Sequence, residues 1–122
     1  MPFVWCFFHV RNTCYTIPRK DKFVLIVCKD SNCMGFLVNT TISQFIRNRP
    51  YMLACQVALK ASDYWFLRHD SYLDCSQLFS FDDDDLLDGR GPITDQTKAE
   101  VKKAVAIATT IEQRYQNLIA VA

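Results

Sequence analysis

The 122-residue sequence is poor in glycine, proline and histidine, with three Gly, four Pro and two His. This scarcity excludes collagen-like and linker-type chains. The longest apolar runs are Phe3–Phe8 and Phe23–Cys28, far short of the roughly 18 residues of a membrane span. The first residues also lack the basic start and the cleavage site of a signal peptide, so we expect a cytoplasmic protein without a membrane segment.

Several common motifs of catalysis and metal binding are also missing. The sequence has no Cys-x-x-Cys pair, no glycine-rich phosphate loop and no Gly-x-Ser-x-Gly nucleophile elbow. Neither histidine stands at a usual zinc-ligand spacing from a cysteine. We therefore expect six reduced cysteines, no metal and no cofactor.

Charge is distributed unevenly along a nearly neutral chain. The formal net charge is +1, yet residues 1–60 carry eight Lys/Arg and two Asp, whereas residues 61–122 carry six Lys/Arg and eleven Asp/Glu. A basic half predicts a face that binds a polyanion, because bulk charge this close to zero does not. The alternative is chance combined with the acidic run Asp82–Asp85, and the sequence leaves both open.

The first two thirds of the chain have the pattern of short β-strands. Five segments rich in Val, Phe, Tyr, Leu and Cys are separated by polar or proline-containing connections: Phe3–Val10, Phe23–Cys28, Met34–Asn39, Met52–Leu59 and Ser71–Phe81. The continuous apolar run of the second segment suits a strand buried on both faces. Five such strands predict a small, curved antiparallel sheet or barrel.

After the acidic run the pattern becomes helical. Thr94 is a suitable N-cap, and apolar residues then recur at three- and four-residue steps over 101–119. This predicts one helix, or two with a break near Thr109 and Thr110, since β-branched residues are mediocre helix formers. We expect a single domain, 1–122, with a β-barrel over 1–81, an acidic turn and loop over 82–93, and one or two helices over 94–119.

The segments follow one another in a recognisable order. A cation opens an aliphatic strand, the next strand ends in Thr, a polar strand carries a Gln-aliphatic pair, and an acidic turn precedes an Ala-rich helix: Lys22–Val27, Gly35–Thr41, Asp70–Leu78, Asp82–Leu87 and Val101–Ile107. This order resembles the MazF/PemK toxins of bacterial toxin–antitoxin systems. The resemblance implies an SH3-like antiparallel β-barrel packed with a C-terminal helix, a homodimer, metal-independent cleavage of single-stranded RNA, and a cognate antitoxin protein that blocks the RNA groove.

The first loop and the second strand depart from the family's pattern. Lys22 stands where the family's catalytic Arg is expected, unless Arg19 reaches in from the preceding loop. Arg and Lys are not equivalent where phosphate must be held by two hydrogen bonds. The family's glycine-rich first loop is replaced here by the mainly polar residues Arg11–Lys20.

RNA cleavage without a metal needs a base for the ribose 2′-OH, an acid for the leaving oxygen, and donors that stabilise the phosphorane. Arg19 or Lys22 is the predicted stabilising cation, and Thr40 is predicted to donate its hydroxyl to a nonbridging oxygen. We expect these three residues to gather beside one anion-sized notch. His69 is the candidate acid or base, with a solvated surface histidine as the alternative.

Binding of unpaired bases requires stacking partners beside cations. Arg47, Arg49 and Tyr51 form a basic, aromatic connection after the third strand, and we predict that they bind RNA. Lys20 and Thr41 are also predicted to bind RNA. The alternative is that these arginines are simply solvated.

Two other functions remain open at this point. A non-enzymatic toxin on the same barrel, similar to the CcdB proteins that poison gyrase, would act through its C-terminal helix. A catalytically inactive accessory protein of the same fold is favoured by Lys22 in place of Arg and by the unusual first loop.

Overall fold

The computed structural model describes residues 3–122, and seven strands, four α-helices and two short 3₁₀ turns follow along the chain. The strands are β1 (Cys6–Thr13), β2 (Lys20–Lys29), β3 (Cys33–Asn39), β4 (Gln56–Leu59), β5 (Ser71–Asp74), β6 (Phe79–Phe81) and β7 (Asp88–Pro92). The helices are α1 (Gln44–Arg47), α2 (Pro50–Leu53), α3 (Asp95–Ile107) and α4 (Gln113–Val121).

The strands form one curved antiparallel sheet in the order β4-β5-β3-β2-β1-β7. Strand β6 pairs with the first part of β3, while β5 pairs with its last two residues. The predicted strand Ser71–Phe81 is therefore two shorter strands, β5 and β6. Both pair with β3, and residues 75–78 separate them. This arrangement is a half-barrel of antiparallel strands closed on one side by the C-terminal helices.

Strand β2 lies at the centre of the molecule, as its apolar run predicts. Leu25 and Val27 face the core shared with α3 and α4, whereas Val24 and Ile26 face a second cluster on the opposite side of the sheet. All four side chains are fully buried. The alternation follows from the two-residue period of a strand, and burial of both faces explains why the run has no polar member.

Three expectations about local structure need correction. Residues 52 and 53 belong to α2, because Pro50 opens a helical turn at its N1 position, so the predicted strand Met52–Leu59 is reduced to β4. The segment 82–93 contains strand β7, which pairs with β1. The first loop is also shorter than Arg11–Lys20, because β1 extends to Thr13 and β2 begins at Lys20.

The C-terminal region has two helices rather than one. Thr94 is the N-cap of α3, and its hydroxyl accepts a hydrogen bond from the Thr97 amide at 3.2 Å, as predicted. The break falls at residues 108–112, where Thr110 donates a hydrogen bond to the Ser76 carbonyl. None of the helices within residues 3–122 combines the length and hydropathy of a transmembrane span.

Close contact between β2 and β3 requires a residue without a side chain at position 35. A Cβ added to Gly35 would lie 2.5 Å from the Leu25 carbonyl oxygen, whereas one added to Gly89 would meet nothing nearer than Phe8 Cε1 at 3.7 Å. Gly35→Ala should therefore lower the free energy of unfolding by about 1–3 kcal/mol. Gly89→Ala is the matched control and should stay within about 0.5 kcal/mol. Urea denaturation measures both, and equal stability of the two variants would contradict this packing.

Candidate active site

The antiparallel pairing of β2 and β3 brings the start of one strand beside the end of the other. Val24 pairs with Leu37, so Lys22 lies opposite Asn39, and Thr40 and Thr41 follow directly. A cleft of about 380 Å³ opens here, and we call it the lysine cleft. Its walls include Lys20, Lys22, Asn39, Thr40, Thr41 and Asp74. Four of the residues singled out from the sequence are thus together: Lys20, Lys22, Thr40 and Thr41.

Lys22 is held in a defined position. Its Nζ donates a hydrogen bond to Asn39 Oδ1 at 2.6 Å, and the side chain is half-buried. Burial, and secondarily the charge of Lys20, lowers the pKa of the Lys22 ammonium below its ordinary value. Lys22 is therefore a stronger acid than a solvated lysine. An arginine in its place would keep its proton.

Asp74 is a buried carboxylate in the wall of the lysine cleft. Its Oδ1 accepts hydrogen bonds from Gln56 Nε2 at 2.8 Å, from the Ser76 amide at 3.0 Å, and from the Ser76 hydroxyl. These contacts hold the interruption between β5 and β6, which forms the side of the cleft opposite β2. Asp74 thus supports the shape of the cleft.

Tyr15 places the β1–β2 loop against the same cleft. Its ring lies 4.4 Å from the ring of Phe79, and its hydroxyl donates to the Ser80 carbonyl. The Thr16 hydroxyl accepts from the Lys20 amide at 2.9 Å. The loop is therefore fixed to β6 and to the start of β2, and Tyr15 and Thr16 become part of the cleft wall.

A second cleft of about 300 Å³ adjoins the first, and Lys22 and Thr40 line both. We call it the aromatic cleft, because Phe23 and Phe66 contribute to its surface. His69 lies here and not in the lysine cleft. Its side chain is exposed, and its carbonyl accepts from the Ser71 hydroxyl at 2.8 Å. The neighbouring Asp70 does not pair with it but accepts from the Ala61 amide at 2.9 Å.

Arg19 is not brought together with Lys22 and Thr40, and this part of the prediction needs correction. It lines a separate cleft with Asp82 and Asp85 of the acidic turn. Arg19 belongs to the first loop, since β2 begins at Lys20, and the conformation of that loop sets its position. Of the two cations considered for the notch, the structure therefore places only Lys22 in it.

Arg47, Arg49 and Tyr51 lie on the α1–α2 segment beside the lysine cleft. Arg47 Nε donates to the Ile42 carbonyl at 3.2 Å, and Arg49 donates to the Phe45 carbonyl at 2.8 Å. The Arg49 guanidinium also stacks on the Phe45 ring at 3.5 Å. Tyr51 is about half exposed. None of the three lines either cleft within the described residues, although Ser43 and Ile46 of the same segment do.

Sequence reasoning missed Asn39, Asp74 and Tyr15 as parts of this site. Asn39 is detectable only once the β2–β3 register is known, because its role is to accept from Lys22. The Asp74-Cys75-Ser76 order is a signal for a side-chain turn, since Asp often binds an amide two residues on. Nothing in the sequence marks Tyr15. Within residues 3–122, no group of three His, Cys, Asp or Glu residues is arranged to hold a metal ion.

Comparison with known proteins shows which solved structures have a similar fold. No protein-family model matches the chain, and no curated protein matches it by sequence. Among solved structures, the Mycobacterium tuberculosis toxin MazF-mt6 gives a TM-score of 0.62 at 18% identity, over 85% of this chain and 96% of that one. An endoribonuclease in complex with its cognate antitoxin, from a mycobacterial species, gives 0.65 at 19% identity, over 92% and 98%.

The fold is that of the MazF toxins. A second mycobacterial endoribonuclease matches with a TM-score of 0.59 at 19% identity, over 86% of this chain and 88% of that one. The predicted small antiparallel β-barrel packed with C-terminal helical structure is therefore confirmed. The match spans 88% to 98% of these solved chains.

Asp74 provides a test of how the cleft is built. Asp74→Ala leaves the buried Ser76 donors without an acceptor, and we expect the free energy of unfolding to fall by about 1–3 kcal/mol. Gln77→Ala, an exposed change in the same cleft, should stay within about 0.5 kcal/mol. Urea denaturation measures both. Equal stability would show that Asp74 does not support the β5–β6 interruption.

Proposed function

We propose that this protein is the toxin of a toxin–antitoxin pair and an endoribonuclease that cuts single-stranded RNA without a metal. The observation that carries the proposal is the placement of Lys22 and Thr40 in one cleft of a MazF-like fold. Two of the solved structures that share this fold are named endoribonucleases. A cation and a hydroxyl at the junction of two clefts suit the binding of one phosphate, with the neighbouring sugars and bases extending into the clefts on either side.

The Lys22 ammonium faces the scissile phosphate in this proposal. The 2′-oxygen attacks phosphorus in line, the P–O5′ bond breaks, and the products are a 2′,3′-cyclic phosphate and a 5′-hydroxyl. Lys22 gives a proton to the departing O5′, and its lowered pKa favours that transfer. Arginine cannot donate a proton in this way, so lysine at this position is a functional alternative and not a defect.

Thr40 and His69 complete the chemistry. The Thr40 hydroxyl donates to a nonbridging oxygen, which gains charge in the phosphorane. His69, across the shared wall formed by Lys22 and Thr40, takes the proton of the 2′-OH. Lys20 and Thr41 contact the neighbouring phosphate, and Arg47, Arg49 and Tyr51 bind the RNA where it leaves the lysine cleft.

The partners follow from the same proposal. A cognate antitoxin protein covers the lysine cleft and prevents cleavage, as one structural neighbour is an endoribonuclease in complex with its antitoxin. We also propose a homodimer and a cytoplasmic location, where messenger RNA is accessible.

Cleavage of a single-stranded RNA in the presence of a chelator tests the proposal. The wild-type protein should cut it and leave cyclic phosphate ends, whereas DNA of the same sequence should stay intact because it has no 2′-OH. Lys22→Ala should reduce kcat/KM by at least about 10²-fold, the lower range for a general acid. Lys60→Ala removes an exposed lysine outside both clefts and should leave activity unchanged.

Lys22→Arg separates charge from proton transfer. We expect it to bind RNA like the wild type but to cut slowly, because guanidinium keeps its proton. Wild-type activity should fall as pH rises through the lowered pKa of Lys22, since the ammonium is then lost, while the residual activity of Lys22→Arg should not show that fall. Intact RNA at high protein concentration, or full activity of Lys22→Ala, would contradict the proposal.

A further inference from the structure

The Asn39 side chain is held in one orientation at the end of β3. Its backbone pairs with Tyr72 of β5, and Lys22 lies opposite it on β2. The Lys22 ammonium has only hydrogens to donate, so the 2.6 Å contact between Nζ and Oδ1 requires the carboxamide oxygen to face Lys22. Because the carboxamide is planar, its nitrogen Nδ2 is then directed away from that contact.

The two Nδ2 hydrogens of Asn39 are available to a ligand. Asn39 is half-buried and forms part of the wall of the lysine cleft. Within residues 3–122 its hydrogen-bond partner is Lys22, through Oδ1, and Nδ2 has none. The fully buried side-chain atoms without a partner in that range are Trp5 Nε1 and His9 Nδ1, so Nδ2 is not enclosed. It therefore presents two donors at the surface of the cleft.

These donors lie where a phosphate bound by Lys22 has an oxygen to offer. Asn39 lines the lysine cleft, whereas Thr40 also lines the aromatic cleft, so the two neighbouring side chains reach a phosphate at Lys22 from different sides. The scissile phosphate has two nonbridging oxygens, and Thr40 donates to one of them in the proposed function. Both oxygens gain charge in the phosphorane, and donors already in place stabilise it.

We propose that Asn39 is a further catalytic residue, whose Nδ2 donates a hydrogen bond to the second nonbridging oxygen of the scissile phosphate. This proposal rests on the function proposed above, and it adds a neutral donor to the cation and the hydroxyl already assigned. Asn39 thus makes two contacts at once, with Oδ1 accepting from Lys22 and Nδ2 donating to the phosphate. No bond of the carboxamide forms or breaks, and the proton transfers are unchanged.

Replacement of one nonbridging oxygen by sulfur tests this contact, because sulfur is a weak hydrogen-bond acceptor. The substrate is an RNA with a phosphorothioate at the phosphate that the wild type cuts, and its two stereoisomers place sulfur at one oxygen or the other. We call the ratio of the rates with oxygen and with sulfur the thio effect. For the wild type we expect about tenfold with each isomer, the loss of about one hydrogen bond.

Asn39→Ala should abolish the thio effect of one isomer and leave that of the other. It should also lower kcat by about 10²-fold with a smaller change in KM, since the donor acts mainly on the transition state. Thr40→Ala should abolish the thio effect of the opposite isomer. The matched control is Asn117→Ala, an exposed asparagine of α4 outside both clefts, whose Oδ1 also accepts from a side chain, Gln113 Nε2 at 3.0 Å. It should keep the wild-type kcat and both thio effects.

Asn39→Asp separates donation to the phosphate from positioning of Lys22. The carboxylate still accepts from the Lys22 ammonium but has no hydrogens to donate. We expect this variant to lose the same thio effect as Asn39→Ala. If Asn39 only positions Lys22, Asn39→Asp will retain both thio effects, and the proposed donation is then wrong.

Nuclear magnetic resonance of the wild type keeps the proposal testable without cleavage or variants. The probe is an uncleavable 2′-O-methyl oligomer, and the signals are the side-chain amides of Asn39 and Asn117. A shift of the Asn39 amide alone, in a protein that cuts no RNA, would support the phosphate contact and contradict the nuclease. RNA cleavage with an unchanged Asn39 amide at saturation would overturn the contact alone. Failure of the oligomer to bind would contradict both proposals.

Discussion

The hydrogen bond between Lys22 and Asn39 depends on the pairing of β2 with β3, and the whole candidate site depends on that pairing. Lys22 Nζ lies 2.6 Å from Asn39 Oδ1, which fixes an otherwise flexible side chain at the boundary between two clefts. A lysine loses considerable side-chain entropy when it is ordered, and here the loss is incurred during folding. The ammonium is thus already in position in the folded protein, as the proposed binding of a phosphate requires.

Partial burial makes Lys22 a stronger acid than a solvated lysine. Burial lowers its pKa, and the charge of Lys20 lowers it further. The acidic run that makes the second half of the chain negative is located elsewhere, beside Arg19 in a separate cleft. The lysine cleft is therefore not lined by the acidic turn, whereas two basic residues of the first half, Arg11 and Arg19, lie beside that turn. Asp74 is the carboxylate that remains, and its contacts are with Ser76 and Gln56.

Much of the fold follows from local patterns. The apolar run of β2 predicts a strand buried on both faces, and Thr94 predicts the start of α3; both are confirmed. The placement of Lys22 with Thr40 is also accessible from segment order, since antiparallel neighbours bring a strand's start to its neighbour's end. Local patterns fail where tertiary contacts decide the outcome. Strand β7 contains two glycines and a proline, which indicate a loop until the pairing with β1 is known.

The position of Arg19 was unpredictable for a different reason. Its direction depends on the conformation of the first loop, which is held by the contacts of Tyr15 with Phe79 and Ser80. These partners are more than sixty residues away in the sequence, so no local pattern reports them. The aromatic cleft was likewise hidden, because Phe23 and Phe66 come from distant segments and meet only in the folded chain.

In the proposed function, Lys22 and Thr40 together hold a phosphate of single-stranded RNA. Nuclear magnetic resonance of the protein with an uncleavable 2′-O-methyl oligomer tests it most directly, through the Lys22 side-chain and Thr40 amide signals. We expect both signals to shift in proportion to bound oligomer and to show contacts to its backbone. Shifts confined to Arg19 and its neighbours, with Lys22 and Thr40 unchanged at saturation, would contradict it.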